Sequence, residues 1–299
     1  MLESASPTGG TRVNGKVCVI TGGTDGIGKA AAYGLAMQGA RLLVQGRDPD
    51  KGARAVAELK SRSGNSAIEF LGADFSSLDE VRQLAAAVMA RTPRIDVLVN
   101  NAGAIFVKRA LSKDGYEKTL AVNHLAPFLL THLLLDTLKA SAPSRIVTTA
   151  SNAHRGAKLA FDDLQLTRKY SPMGAYGMSK LANILFTRAL AKRLQDTGVT
   201  ATCLHPGLVR TNFGGNNAAD ISPLIGRIFL LISRFARTPE KGAETVIYLA
   251  SSPEAEGVSG GYYHDCKPIR PTPAGEDDNV AERLWQVSEQ LVGIAGAQT

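Results

Sequence analysis

Short apolar, β-branched runs alternate along the chain with longer segments whose apolar positions recur at helical spacing. The runs are Val17 to Thr21, Arg41 to Gln45, Ala67 to Gly72, Val97 to Asn100, Arg145 to Thr149, Thr200 to Leu204 and Gly260 to Tyr263. Strands joined by helical crossovers must be parallel, and right-handed crossovers put helices on both faces of the sheet. The pattern therefore predicts an α/β fold, a doubly wound parallel sheet of about seven strands. Helix ends are readable too. Ser76 or Ser77 can cap a helix beginning near Leu78, with Asp79 and Glu80 favourable in its first turn, and Pro239 stands at the start of a helix carrying Glu240 to Leu249. No repeat or interdomain linker appears, so one domain is expected over residues 15–299, behind a flexible tail at 1–14.

At 299 residues the chain is long for one domain, yet within reach of a helix-covered α/β sheet. With 44% hydrophobic and 20% charged residues and 30 glycines, it is neither disordered nor fibrous. The excess of 34 Lys+Arg over 27 Asp+Glu gives +7, but the basic residues are scattered, which argues against nucleic-acid binding. A modest positive field suits an anionic cofactor or an anionic membrane surface equally. Cys18, Cys203 and Cys266 form no CxxC pair and read as buried thiols, while His124, His154 and His205 lie far apart, so no metal is expected. Met1 to Asn14 lacks the apolar core of a signal peptide, and the Ile225 to Phe235 run is interrupted by Gly226, Arg227, Ser233 and Arg234. No transmembrane anchor and a cytoplasmic location are the resulting expectations.

Directly after the first strand comes Thr21-Gly22-Gly23-Thr24-Asp25-Gly26-Ile27-Gly28, followed by the helical stretch Lys29 to Gln38. Glycines at 22, 26 and 28 let the backbone turn sharply and approach a pyrophosphate, and the helix N-terminus supplies free N–H donors. The spacing is Gly-x-x-x-Gly-x-Gly, and other positions follow in order: Asp74 and Phe75 after the third strand, Asn100-Asn101-Ala102-Gly103 closing the fourth, Asn123, Ser151, Tyr176-x-x-x-Lys180 and Pro206-Gly207. In this set, from about residue 15 to 295, the chain resembles the short-chain dehydrogenase/reductase family, whose fold is of Rossmann type.

That resemblance implies the roles of the site residues. Thr24, Asp25, Ile27 and the loop glycines would hold the cofactor phosphates, Asp74 and Phe75 with Asn101, Ala102 and Gly103 would border the adenine, and Pro206, Gly207, Val209 and Thr211 would lie along the nicotinamide. Tyr176 and Lys180 are four apart on one predicted helix, Met173 to Asp196, so they share a face. A phenol near pKa 10 exchanges protons poorly at neutral pH, and a nearby cation lowers that value. In the family the lysine is that cation and also holds the nicotinamide ribose, the match to Ser151 orients the substrate oxygen, and the match to Asn123 kinks its helix and connects the lysine to solvent through a water. Hydride exchange between the cofactor and a carbonyl or alcohol carbon, with Tyr176 moving the proton, is the implied reaction. His124 reads as packing.

Cofactor choice turns on Gln45-Gly46-Arg47-Asp48 at the end of the second strand. An acid there would bind the adenosine ribose of NAD, but Gly46 occupies the place where NAD-type members carry it, and Arg47 suits a 2′-phosphate. NADP(H) is favoured over NAD(H). Two acids depart from that picture: Asp25, where some NADP-type members carry a base, and Asp48. Within the family the closest likeness is to the retinol dehydrogenase branch, through Arg145-Ile146-Val147, Ala153-His154, Gly257-Val258-Ser259-Gly260, Asp265-Cys266-Lys267 and Ala281-Glu282-Arg283-Leu284-Trp285. It implies a lipophilic aldehyde or ketone, retinal being one candidate. The apolar 212–237 stretch reads either as core or as a substrate lid with weak membrane contact. Pairing into a homodimer or homotetramer through helices matching Leu111 to Lys139 and Met173 to Asp196 is a family expectation. A catalytically silent cofactor-binding regulator or scaffold of the same fold is the alternative, and the filled catalytic positions argue against it.

Overall fold

A computed structural model describes residues 13–209 and 236–294. The elements run β1 (Val17–Ile20), α1 (Gly26–Ala36), β2 (Arg41–Gly46), α2 (Pro49–Ser63), β3 (Ile68–Gly72), α3 (Leu78–Arg91), β4 (Val97–Asn100), α4 (Ala126–Ala140), β5 (Ser144–Thr149), α5 (Pro172–Arg193), β6 (Val199–Leu204), α6 (Pro239–Ser251), β7 (Tyr262–His264), β8 (Lys267–Ile269) and α7 (Asp278–Val292). They form a single doubly wound sheet ordered β3-β2-β1-β4-β5-β6-β7-β8. Pairing is parallel from β3 to β7, as expected, and β8 adds an eighth, antiparallel strand through a hairpin. The chain reverses its direction of travel across the sheet between β1 and β4, and the crevice at the carboxyl ends of strands beside such a switch point is where open α/β sheets take ligands.

Two apolar layers sandwich the sheet. On one face Val19, Leu43 and Leu98 meet α3, α4 and α5, joined by Leu284 and Trp285 of α7. On the other, Cys18, Ile20, Val44 and Val99 meet Ala31, Leu35, Val246 and Leu249 of α1 and α6. Capping follows the sequence: the Ser77 hydroxyl accepts from Glu80 N–H at the start of α3, and Pro239 opens α6 behind Thr238, whose hydroxyl accepts from Lys241 N–H. Cys18 and Cys203 are buried thiols, and Cys266 is partly exposed. Of the tail expected over 1–14 only Val13 and Asn14 are described, and Val13 is buried against the α1–β2 layer. The 212–237 stretch lies outside the described residues but for its last two, Ala236 and Arg237. Among the described residues no helix is long and apolar enough to cross a membrane.

Candidate active site

Close backbone approach builds the nucleotide end. Gly22 and Gly26 have φ of +62° and +51°, in the left-handed region that glycine adopts without strain. A Cβ on Gly28 would stand 2.1 Å from Gly22 O and 2.4 Å from Asn101 Nδ2, so the first turn of α1 reaches the loop only with hydrogen at this place. The same Asn101 amide donates to the carbonyls of Thr21 and Gly22, at 3.0 and 3.3 Å, and the Thr21 hydroxyl accepts from the N–H groups of Asn101 and Ala102. The end of β4 thus fastens the glycine loop. Behind it, Gln45 accepts from Gly22 N–H and donates to Ala73 O. The result is a shallow cradle of backbone at the N-terminus of α1, whose leading N–H groups have no intrahelical acceptor. A dinucleotide pyrophosphate fits this cradle, and the residues present suit that group.

The flanks divide the remaining expectations. Arg47 is exposed at the end of β2, and a Cβ on Gly46 would come within 2.6 Å of Thr24. Asp48 is committed to capping α2, accepting from Lys51 N–H at 3.0 Å. Asp74 closes a turn by accepting from Ser76 N–H, while the Phe75 side chain packs in the core, leaving its backbone as the part available to a nucleotide. Beyond β6, Gly207 has φ +79° and Val209 forms an isolated bridge with Arg237. Gly242 of α6 makes room for Val209 beside Ile27, since a Cβ there would meet both side chains, at 2.7 and 3.2 Å. Thr211 lies outside the described residues.

The four residues expected at the chemical end come together. Ser151 follows β5, where its hydroxyl accepts from Ala153 N–H at 3.2 Å and offsets part of the burial of the Tyr176 hydroxyl. Lys180 sits one turn along α5, only 1% exposed, and donates from Nζ to Thr149 O at 2.9 Å. Asn123 occupies a π-helical turn, Ala121–Leu125. Its amide is fully used: Oδ1 accepts from Ala104 N–H at 2.7 Å, and Nδ2 donates to Ala104 O and Ser179 Oγ. Gly103 separates the two groups, with its Cβ position 3.2 Å from Lys180 Nζ and 3.3 Å from Asn123 Oδ1.

Electrostatics refine the tyrosine–lysine pair. Burial pushes the Tyr176 hydroxyl up to about 12, opposed by the Ser151 contact, and burial draws the Lys180 ammonium down to about 8. The lysine lies 5.6 Å from the tyrosine ring centroid, and its hydrogen bond goes to a backbone carbonyl. With the protein's own groups alone, the tyrosine keeps its proton at neutral pH.

Three supporting residues went unread in the sequence. Ser179 links Tyr176 O to Asn123, a tie readable only as a small polar residue three positions after the tyrosine. Gly177 permits α5 to press on the Ser151 turn, where a Cβ would meet Ala153 O at 2.6 Å; a lone glycine inside a helical pattern was the available signal. His154 is completely buried, places Nδ1 2.8 Å from Ser151 O and accepts at Nε2 from Thr272 N–H, so it braces the serine turn against the chain beyond β8. His124 packs against Phe128 and Phe186, is drawn down to about 4 by burial, and bonds Ser288 of α7 at 2.9 Å.

A family model described as short chain dehydrogenase matches residues 16–222. The chain belongs to the short-chain dehydrogenase/reductase family. It is 43% identical to human retinol dehydrogenase 14 over 296 residues, covering 94% of this chain and 88% of that one. Among solved structures it is similar to an uncharacterized protein of Mycobacterium paratuberculosis, with 31% identity, 95% of each chain covered and a TM-score of 0.75. A short-chain dehydrogenase of Burkholderia cenocepacia, solved in complex with NADP, is 27% identical, covers 84% of this chain and 96% of its own, and gives a TM-score of 0.66. The retinol dehydrogenase likeness seen in the sequence therefore holds, and the chain is an oxidoreductase of this family. Among the described residues no group of three or more His, Cys, Asp or Glu side chains could hold a metal ion.

Proposed function

We propose that this oxidoreductase uses NADP(H) to interconvert a lipophilic ketone or aldehyde and its alcohol. The observation that carries the reading is the cluster of Ser151, Tyr176, Lys180 and Asn123 at the carboxyl edge of the sheet, set beside the glycine cradle. NADP(H) is supported by Arg47 and by Gly46, where any side chain, an acid included, would strike Thr24. The NADP complex of the Burkholderia relative agrees with it. The lipophilic substrate rests on the likeness to retinol dehydrogenase 14.

When bound beside the glycine cradle, a nicotinamide would supply or receive the hydride. Ser151 donates a hydrogen bond to the substrate oxygen and holds it beside Tyr176. Because burial keeps the Tyr176 proton in place at neutral pH, that hydroxyl can protonate the oxygen as negative charge develops on it in reduction, and it takes the proton back in the reverse, oxidative direction. Lys180, at the inner end of the pair, is positioned between Thr149 O and Gly103, where its positive charge stabilises the tyrosinate left behind. Asn123 fixes the Ala104 backbone that borders this chamber.

The test is oxidation of NADPH and of NADH followed at 340 nm with aliphatic, aromatic, steroid and retinoid carbonyls. Turnover of bulky apolar carbonyls with a lower KM for NADPH is expected; equal or tighter use of NADH overturns the cofactor assignment. Tyr176→Phe should lose about 10²- to 10⁴-fold in kcat, the range for a positioned acid, while binding NADPH within a few-fold of the parent protein. Near-full turnover by that variant would refute the mechanism, and absence of turnover by the parent with intact nucleotide binding would favour the silent regulator.

A further inference from the structure

The half-buried pair Asp25–Lys51 lies where two segments of the cofactor site meet, and the roles of both residues differ from what position alone suggests. Asp25 Oδ1 accepts from Gly26 N–H at 2.7 Å, placing a carboxylate at the positive end of α1. Its second oxygen, Oδ2, receives Lys51 Nζ at 2.5 Å. Both side chains are about two-fifths exposed, at 41% and 43%, and pairs so exposed contribute little to stability. Close packing nevertheless brings them together. A Cβ on Gly52 would lie 2.2 Å from the Phe70 ring, so the bare glycine lets the first turn of α2 settle onto β3. That turn is also held by Asp48 through Lys51 N–H. Lys51 is thereby set against the carboxylate of the glycine loop, four positions after Arg47 in the chain.

The charge arithmetic gives this placement its meaning. Asp25 would repel a 2′-phosphate at the end of β2, and Arg47 alone would have to overcome that repulsion. An ammonium shared between the two can neutralise the carboxylate and face the phosphate at once, since it carries three donors. We propose that Lys51 is a second determinant of 2′-phosphate recognition, acting as the counter-ion that cancels Asp25, and that Asp25 restrains the affinity for NADP(H). The inference rests on the NADP(H) reading above and adds to it a pair of residues outside the arginine position.

Calorimetric titration of the full chain with adenosine 2′,5′-bisphosphate and with 5′-ADP tests it without recourse to turnover. The parent protein should bind the bisphosphate more tightly. Lys51→Met should weaken bisphosphate binding about tenfold, the consequence of losing one close ionic contact of roughly 1.4 kcal/mol, and leave 5′-ADP within about twofold. Asp25→Asn should tighten the bisphosphate more than 5′-ADP, and Asp25→Asn combined with Lys51→Met should return most of what the single lysine substitution loses. Both positions are half-buried at the surface, and thermal melting confirms that each variant folds. Equal effects of Lys51→Met on the two nucleotides, or no rescue by Asp25→Asn, overturns the inference while leaving the NADP(H) reading intact. Failure of the parent protein to prefer the bisphosphate overturns that reading itself.

Discussion

Lys180 shows what a cation costs when it is kept away from water. Moving an ammonium from 10.5 to about 8 corresponds to roughly 3 kcal/mol of disfavoured charge, only partly recovered through Thr149 O. Because the folded value lies below the unfolded one, the unfolded chain binds more protons between these limits. The cost is therefore fully present below pH 8 and is relieved as pH rises toward 10.5. Lys180→Met should match or exceed the parent protein in thermal stability at pH 7, with the advantage shrinking across pH 8 to 10.5, and Asn183 Nδ2 remains to serve Thr149 O. Melting curves of both proteins over that range check it; a variant less stable at pH 7 by several degrees would refute the argument. At this scale the motif residues were legible because their types and spacing carry the chemistry. The lysine's choice of a backbone carbonyl as its acceptor was not, since Thr149 O is brought there by β5, thirty-one positions away in sequence.

At the scale of elements, glycine decides what can touch. Gly28→Ala should lower the melting temperature by several degrees and weaken nucleotide binding at least tenfold, because its methyl group meets Gly22 O, a backbone atom that cannot swing aside, and the Asn101 amide that fastens the loop. Thermal melting and fluorescence titration with NADPH measure both effects; an unaltered affinity would mean that the cradle relaxes freely. The strands β1 to β7 were legible as apolar runs, with ends displaced by a residue or two, as at β7, which begins at Tyr262 where the pattern suggested Gly260. β8 was hidden. It is three residues long, contains Pro268, which a strand accepts at an edge, and is reached through Asp265 and Cys266, both at positive φ. Asp265 suits a tight turn by type, but Cys266 does not, so the pair carries no hairpin signal.

Across the whole molecule, α7 ties the last stretch of chain to the chemistry. Trp285 packs edge-on to Phe128 and stacked on Phe186, with the Arg193 guanidinium 4.1 Å above its ring, and Ser288 holds His124 in the same π-helical turn as Asn123. Trp285→Ala should reduce the unfolding free energy by about 3–5 kcal/mol, seen as a lower denaturant midpoint at an unchanged slope. A loss under about 1 kcal/mol would show that the helix is peripheral. The sequence marked this helix by resemblance, but its coupling to Asn123 arises only when the chain closes on itself.

The bridge between Val209 and Arg237 has a different consequence. Arg237 is anchored twice, by its N–H to Leu208 O and by its guanidinium to Asp265, so the two ends of the intervening chain are held side by side on a fixed frame. The staple joins the chain leaving β6 to the chain entering α6, and thereby fixes where that helix starts against the sheet.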